Sequence, residues 1–116
     1  METHYDGSFQ NCTSLVDYTT VSTGICWHYV WQNCSSLAEL RLGAVSQFGK
    51  NDFYGADNLT DVWISDKTVD QILGVAPTGN IAGGSGAKFP WGANSSCRFH
   101  GTDGIVRADG TVIERF

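Results

Sequence analysis

SSLAELRLGAVSQFG, residues 35–49, can be read in two ways, and the choice decides the fold. As a helix, Ser36 is the N-cap and Glu39 completes a Ser-x-x-Glu capping box. Leu37, Leu40, Ala44 and Phe48 then recur at helical spacing, and Gly49 suits the position just past the end. Gly43 weakens that reading by about 1 kcal/mol relative to Ala. As a strand, Ala38, Leu40, Leu42 and Ala44 alternate. The cap and the spacing favour the helix. The expectation is therefore an α+β domain, with an antiparallel sheet packed on one main helix at about 36–48. A mostly-β sandwich or barrel is the alternative.

The segment begins inside a repeat. FQNCTSLVDY (9–18) returns as WQNCSSLAEL (31–40), 22 residues later. Ser14 with Asp17, and Ser36 with Glu39, give both copies a helix-start signature. The first copy then meets Tyr18, Thr19, Thr20 and Val21, which favour a strand. VSTG (21–24) beside VSQFG (45–49) hints at a duplicated unit. Two copies are too few for a solenoid, so the repeat reads as duplicated scaffold.

Around this core, residues 1–8 read as a flexible arm, and 1–116 as a single domain. GICWHYVW (24–31) reads as a strand, with Ile25, Trp27, Tyr29 and Trp31 on its core face. DVWIS (61–65) reads as a short strand. Asp66 is placed to cap a short helix through Val69, Ile72 and Leu73 that stops at Gly74. GVAPTGNIAGGSGAK (74–88) carries no core pattern and reads as a displayed loop. CRFHG, IVRA and TVIERF read as three strands in a C-terminal meander, with Asp109-Gly110 turning the last hairpin.

Composition narrows the function. Charged residues are only 16% of the chain, the net charge is −5, and no Lys or Arg precedes Arg41. A nucleic-acid binder usually shows a basic patch, so this balance argues against one. No apolar run approaches a membrane span. Cys12, Cys26, Cys34 and Cys97 are too scattered for a zinc site, but an even number of them permits two disulfides. Four of the six Asn begin Asn-x-Ser/Thr triplets: Asn11, Asn33, Asn58 and Asn94. Together these features point to a secreted, disulfide-bonded glycoprotein, with a bacterial cytoplasmic protein carrying free thiols as the alternative. No metal site or cofactor fingerprint is expected: the glycine run GNIAGGSG lacks the strand and helix that a nucleotide site needs.

The richest chemistry lies in KFPWGANSSCRFHGTDG (88–104). Trp91 offers an aromatic platform. Asn94, Arg98, His100 and Asp103 offer planar or charged groups, with Arg98 and His100 on one strand face. That set suits a glycan or a partner protein. GGSGAKFPW and RFHGTDGIVRADG together resemble the glycine loop and final hairpin of jacalin-related lectins over less than a third of the chain. The resemblance departs at the ligand position, because Gly104 is followed four residues later by Ala108 rather than an acid, and the family is not assigned. Three functions follow as expectations. The first is a binding protein for a glycan or protein. The second is a small ribonuclease-like hydrolase using His28, His100, Arg98 and Glu114. The third is an effector, inhibitor or surface-antigen interaction module. The first is preferred, and no catalytic residue is assigned.

Overall fold

The computed structural model describes residues 3–82 and 87–116, and in it residues 35–49 are strands. β4 (Glu39–Leu42) and β5 (Val45–Gln47) meet at a corner formed by Gly43 and Ala44. The expected helix over 36–48 is absent. Ser36 is exposed and caps nothing, and Glu39 pairs with Arg41 at 2.8 Å.

The reason lies in the neighbours. β4 pairs in parallel and in register with β2 (Asp17–Thr20) on one side and β6 (Asp61–Ile64) on the other. β5 pairs in parallel with β3 (Gly24–Cys26), which pairs with β1 (Thr3–His4). The chain therefore winds as a solenoid of 22-residue turns, with a parallel sheet on each of two sides. The expectation that two copies exclude a solenoid is overturned by two further copies. Phe53, Gly55, Ala56 and Leu59 occupy the stations of Trp31, Asn33, Cys34 and Leu37. Residues 90–101 form a fourth turn, joined through Asp61↔Arg98.

Each turn places inward residues from two strands and from the corners between them. Leu37, Leu40, Leu42, Val45 and Phe48 all reach the core this way. Strand alternation interrupted by a corner mimics helical spacing, which explains the misreading. The inward residues stack in columns: Tyr18, Leu40, Val62 and Phe99 form one, and Thr20, Leu42 and Ile64 another. An aromatic column runs through the centre. The Phe9 and Trp31 rings stack at 6.1 Å, and Trp31 and Phe53 at 5.6 Å, both nearly parallel.

The corners repeat as faithfully as the strands. Asn11, Asn33, Gly55 and Gly92 all have positive φ, a conformation that Gly and Asn tolerate best. The Asn33 amide donates to Asn11 Oδ1 at 3.2 Å, and the Gln10 amide donates to Gln32. Two of the four Asn-x-Ser/Thr triplets thus have a conformational reason for their Asn. Of the arm expected over 1–8, residues 1–2 lie outside the described residues and residues 3–8 are tied to the neighbouring turn. His4 is buried in β1, Asp6 accepts the His28 N–H, and Gly7 donates to the His28 carbonyl. The strand expected over 24–31 ends at Cys26: Tyr29 has φ 61° and Trp27 is 42% exposed, while Trp31 does reach the core.

Other sequence expectations survive. α1 (Val69–Leu73) ends at Gly74, although Thr68 rather than Asp66 is its N-cap, with a capping box to Gln71. β7 (Arg98–His100), β8 (Gly104–Arg107) and β9 (Val112–Arg115) form an antiparallel meander that continues the larger sheet in the order β2-β4-β6-β7-β8-β9. The domain is mostly strands in two sheets with one short helix.

One buried acid clamps a corner. Asp52 is inaccessible to solvent; Oδ1 accepts the Val30 N–H at 3.0 Å and Oδ2 the Gly49 N–H at 2.6 Å. Burial pushes its carboxyl up to about 7, against the lowering effect of those two donors. A carboxyl held above its unfolded value stabilises the fold below pH 4, and that contribution is lost as pH rises through the folded value. The wild type is therefore expected to lose on the order of 2–4 kcal/mol between pH 4 and 7.5 through this group. Asp52→Asn should flatten that slope. Urea midpoints for both proteins across this range test it, and equal slopes would remove Asp52 as the cause.

Candidate functional site

In parallel, in-register strands every second side chain points outward, so outward residues also form rows across the sheet. One row is Asp17, Glu39, Asp61, Arg98 and Arg107; the next is Thr19, Arg41, Trp63, His100 and Ile105. On β4, β6 and β7 these rows hold the densest polar and aromatic cluster on this sheet face.

Trp63 is its centre. The His100 imidazole stacks on the indole at 4.6 Å and 15° between planes, and the Arg41 guanidinium lies 4.3 Å from the indole centroid. Because β6 lies between β4 and β7, Arg41 and His100 cover Trp63 from opposite sides. A cation over an indole contributes about 0.5–1 kcal/mol at an exposed site. The three side chains form one Arg–Trp–His stack.

Asp61 anchors the adjoining row. Arg98 Nε donates to Oδ1 at 3.0 Å and Nη2 to Oδ2 at 3.1 Å, a two-point clasp. His100 Nε2 lies 2.7 Å from Oδ1, and Thr60 Oγ1 donates to Oδ2 at 2.9 Å. Burial alone would raise this carboxyl. Hydrogen bonds from His100, Thr60 and Arg98, with the Arg98 charge, outweigh burial and hold it below the usual carboxylate range. Asp61 thus fixes the orientation of two side chains on the next strand. A concavity of about 360 Å³ opens beside Trp63 and Arg41, bordered by Thr19, Thr20, Val21 and Ser65.

The five residues expected to bind ligand are divided by the fold. Arg98 and His100 come together on Asp61. Trp91 does not join them: it is 1% exposed, packs against Phe48 at 4.7 Å, and donates its indole N–H to the Ala87 carbonyl. Its ring is core, not a platform. Asn94 braces a turn, donating to the Leu59 carbonyl at 2.8 Å and accepting from Ser96. Asp103 accepts the Val69 N–H at 2.9 Å, at the first turn of α1. The glycine run at 83–86 lies outside the described residues.

The groups expected for a hydrolase are likewise scattered. The His28 ring accepts the Lys50 N–H at a corner just beyond β3, which belongs to the other sheet, and Glu114 is exposed on β9. Asp61, Trp63 and Arg41 were not singled out from sequence. DVWIS (61–65) reads as a strand with no sign that its polar residues meet others 20 to 39 positions away.

The four cysteines are free thiols, with Cys12 exposed and Cys26, Cys34 and Cys97 buried. Burial pushes the Cys97 thiol up to about 12, helped by the Asp61 charge and opposed by Arg98. Burial first, then the Asp52 charge, also raises Cys26. Both are apolar core groups at neutral pH. Among the described residues no group of three His, Cys, Asp or Glu side chains is arranged to hold a metal ion, and no helix is long and apolar enough to cross a membrane. Comparison with protein families, curated proteins and solved structures finds no match.

Proposed function

We propose that this protein is a binding module whose ligand is a partner protein, engaged through the outward face of β4, β6 and β7. The observation that carries the reading is the Arg41–Trp63–His100 stack, held in place by neighbouring strands and by Asp61. Trp and Arg are the side chains most often responsible for the energy of protein interfaces. Here they are ordered before any ligand arrives, which lowers the entropy cost of association. Solenoids commonly use such extended regular faces for binding. The concavity beside Trp63 suits one anchoring side chain of the partner.

A glycan ligand is the weaker form of the binding reading. Sugar rings pack on a free aromatic face, whereas Trp91 is buried and Trp63 is covered on both sides. The hydrolase reading is weaker still. Asp61 commits both oxygens to Arg98, His100 and Thr60, and the second histidine, His28, is engaged elsewhere.

The test uses protein and glycan arrays probed in parallel with three proteins. These are the wild type, Arg41→Glu combined with Trp63→Ala, and Trp27→Ala as a control away from this face. The wild type and the control should share protein ligands, and the double variant should bind them at least tenfold more weakly while keeping its circular dichroism spectrum. Ligands confined to the glycan array, or protein ligands indifferent to the double variant, would overturn the proposal.

A further inference from the structure

We infer that Cys12 and Cys34 are a disulfide-forming pair that closes the first turn of the solenoid onto the second. The two residues are 22 apart, one full turn, and so occupy the same station in adjacent turns. The residues beside them are in direct contact. Asn11 N–H donates to the Gln32 carbonyl at 2.8 Å, and the Asn33 amide donates to Asn11 Oδ1 at 3.2 Å. Adjacent strands of a parallel stack lie about 4.8 Å apart, inside the window of about 4.4–6.8 Å between Cα atoms that a disulfide spans. The Cys34 thiol points toward the first turn, where its Sγ is 2.9 Å from the Phe9 carbonyl oxygen.

The station faces the core. Its later occupants are Ala56, which is buried, and Ala93, which packs against the core. Only the first two turns place sulfur there. Cys12 is exposed and Cys34 buried, so one thiol of the pair is open to reagents and the other is sheltered. Cys26 lies in β3 and Cys97 immediately precedes β7, on different sheets and at different stations. Neither has a cysteine one turn away.

The reaction is thiol–disulfide exchange with a small-molecule disulfide such as oxidised glutathione. The Cys12 thiolate attacks one glutathione sulfur, forming a mixed disulfide and releasing one glutathione thiolate. Cys34, losing its proton, then attacks Cys12 Sγ and expels the second. Two protein thiols are oxidised, one glutathione disulfide is reduced to two thiols, and the two protons end on them. Burial, together with the nearby Cys12 charge, raises the Cys34 thiol despite a hydrogen bond from the Cys12 backbone, so the second step should quicken with rising pH.

The experiment incubates the folded chain with oxidised glutathione, blocks remaining thiols by alkylation after unfolding, and maps peptides by mass. The expected product carries one Cys12–Cys34 link, with Cys26 and Cys97 alkylated. In that product, amide exchange in the first turn should slow by about tenfold or more. The Cys34→Ala variant should instead accumulate glutathione on Cys12. A stable mixed disulfide on Cys12 of the wild type, a link involving Cys26 or Cys97, or no reaction would each overturn the inference.

Discussion

Replacing Trp31 with Ala is expected to remove about 3–5 kcal/mol of stability. That is a large share of the roughly 5–15 kcal/mol that a domain of this kind possesses. Trp31 is fully buried between Phe9 in the turn before and Phe53 in the turn after. Its removal empties the centre of the aromatic column and uncouples the first turn from the third. Trp31→Phe should behave quite differently. The indole N–H is buried without a hydrogen-bond partner among the described residues, and Phe already occupies this station at 9 and 53. Losing an unpaired donor offsets part of the lost contact area, so a change within about 1 kcal/mol is expected. Urea denaturation of the three proteins checks both. An Ala variant as stable as the Phe variant would show that the column does not bind the turns together.

The second large effect is expected at Gly49, which packs directly against the backbone of the preceding turn. A methyl group there would stand 2.1 Å from the Trp27 carbonyl oxygen and 2.4 Å from its carbon. Backbone cannot step aside as a flexible side chain can, so Gly49→Ala must push adjacent turns apart. The Gly49 N–H also supplies one of the two hydrogen bonds that hold Asp52, so the same displacement breaks the corner clamp. A loss of about 4 kcal/mol or more is expected. Gly74→Ala is the matched control for crowding, since a methyl group at Gly74 meets nothing within 4 Å. That variant bears only the strain of its left-handed φ of 82°. Thermal melts of the pair should place the Gly49 variant well below the Gly74 variant, and the reverse order would show that the turns are not in tight register at Trp27.

The parts of the fold that sequence reveals are those built from neighbours along the chain. The C-terminal hairpin at Asp109-Gly110, the strand at β6 and the short helix before Gly74 each depend on fewer than a dozen consecutive residues. The solenoid depends on matching positions one turn apart, and that match fades. The third turn replaces Asn33 by Gly55, Cys34 by Ala56 and Arg41 by Trp63, each acceptable at its station but invisible to a letter-by-letter comparison. The fourth is displaced by the segment that holds α1. Residues 35–49 then misled because two short strands joined by a corner place Leu37, Leu40 and Phe48 inward at intervals that a helix also uses. The site was half visible for the same reason. Arg98 and His100 are two apart on one strand, which local alternation reveals. Their contact with Asp61, and that of Trp63 with Arg41, join separate turns. Trp91 was misassigned because an aromatic beside Gly and Asn suggests a surface, whereas the final turn uses that ring to fill the core.

The passage from the third turn to the fourth has a consequence for how such a chain can change. Asp61 and Arg98 are 37 residues apart, yet they pair as closely as residues 22 apart do elsewhere. The fifteen extra residues leave the stack after β6 and return so that β7 still pairs in parallel on β6, while the smaller sheet ends at β5. Length at this point is therefore decoupled from register. Lengthening an excursion of this kind costs little, about 0.6 kcal/mol for each doubling of a flexible loop. The winding that builds the rigid face thus also provides a growth point, where new sequence can be inserted and selected while the stack beneath it stays as it is.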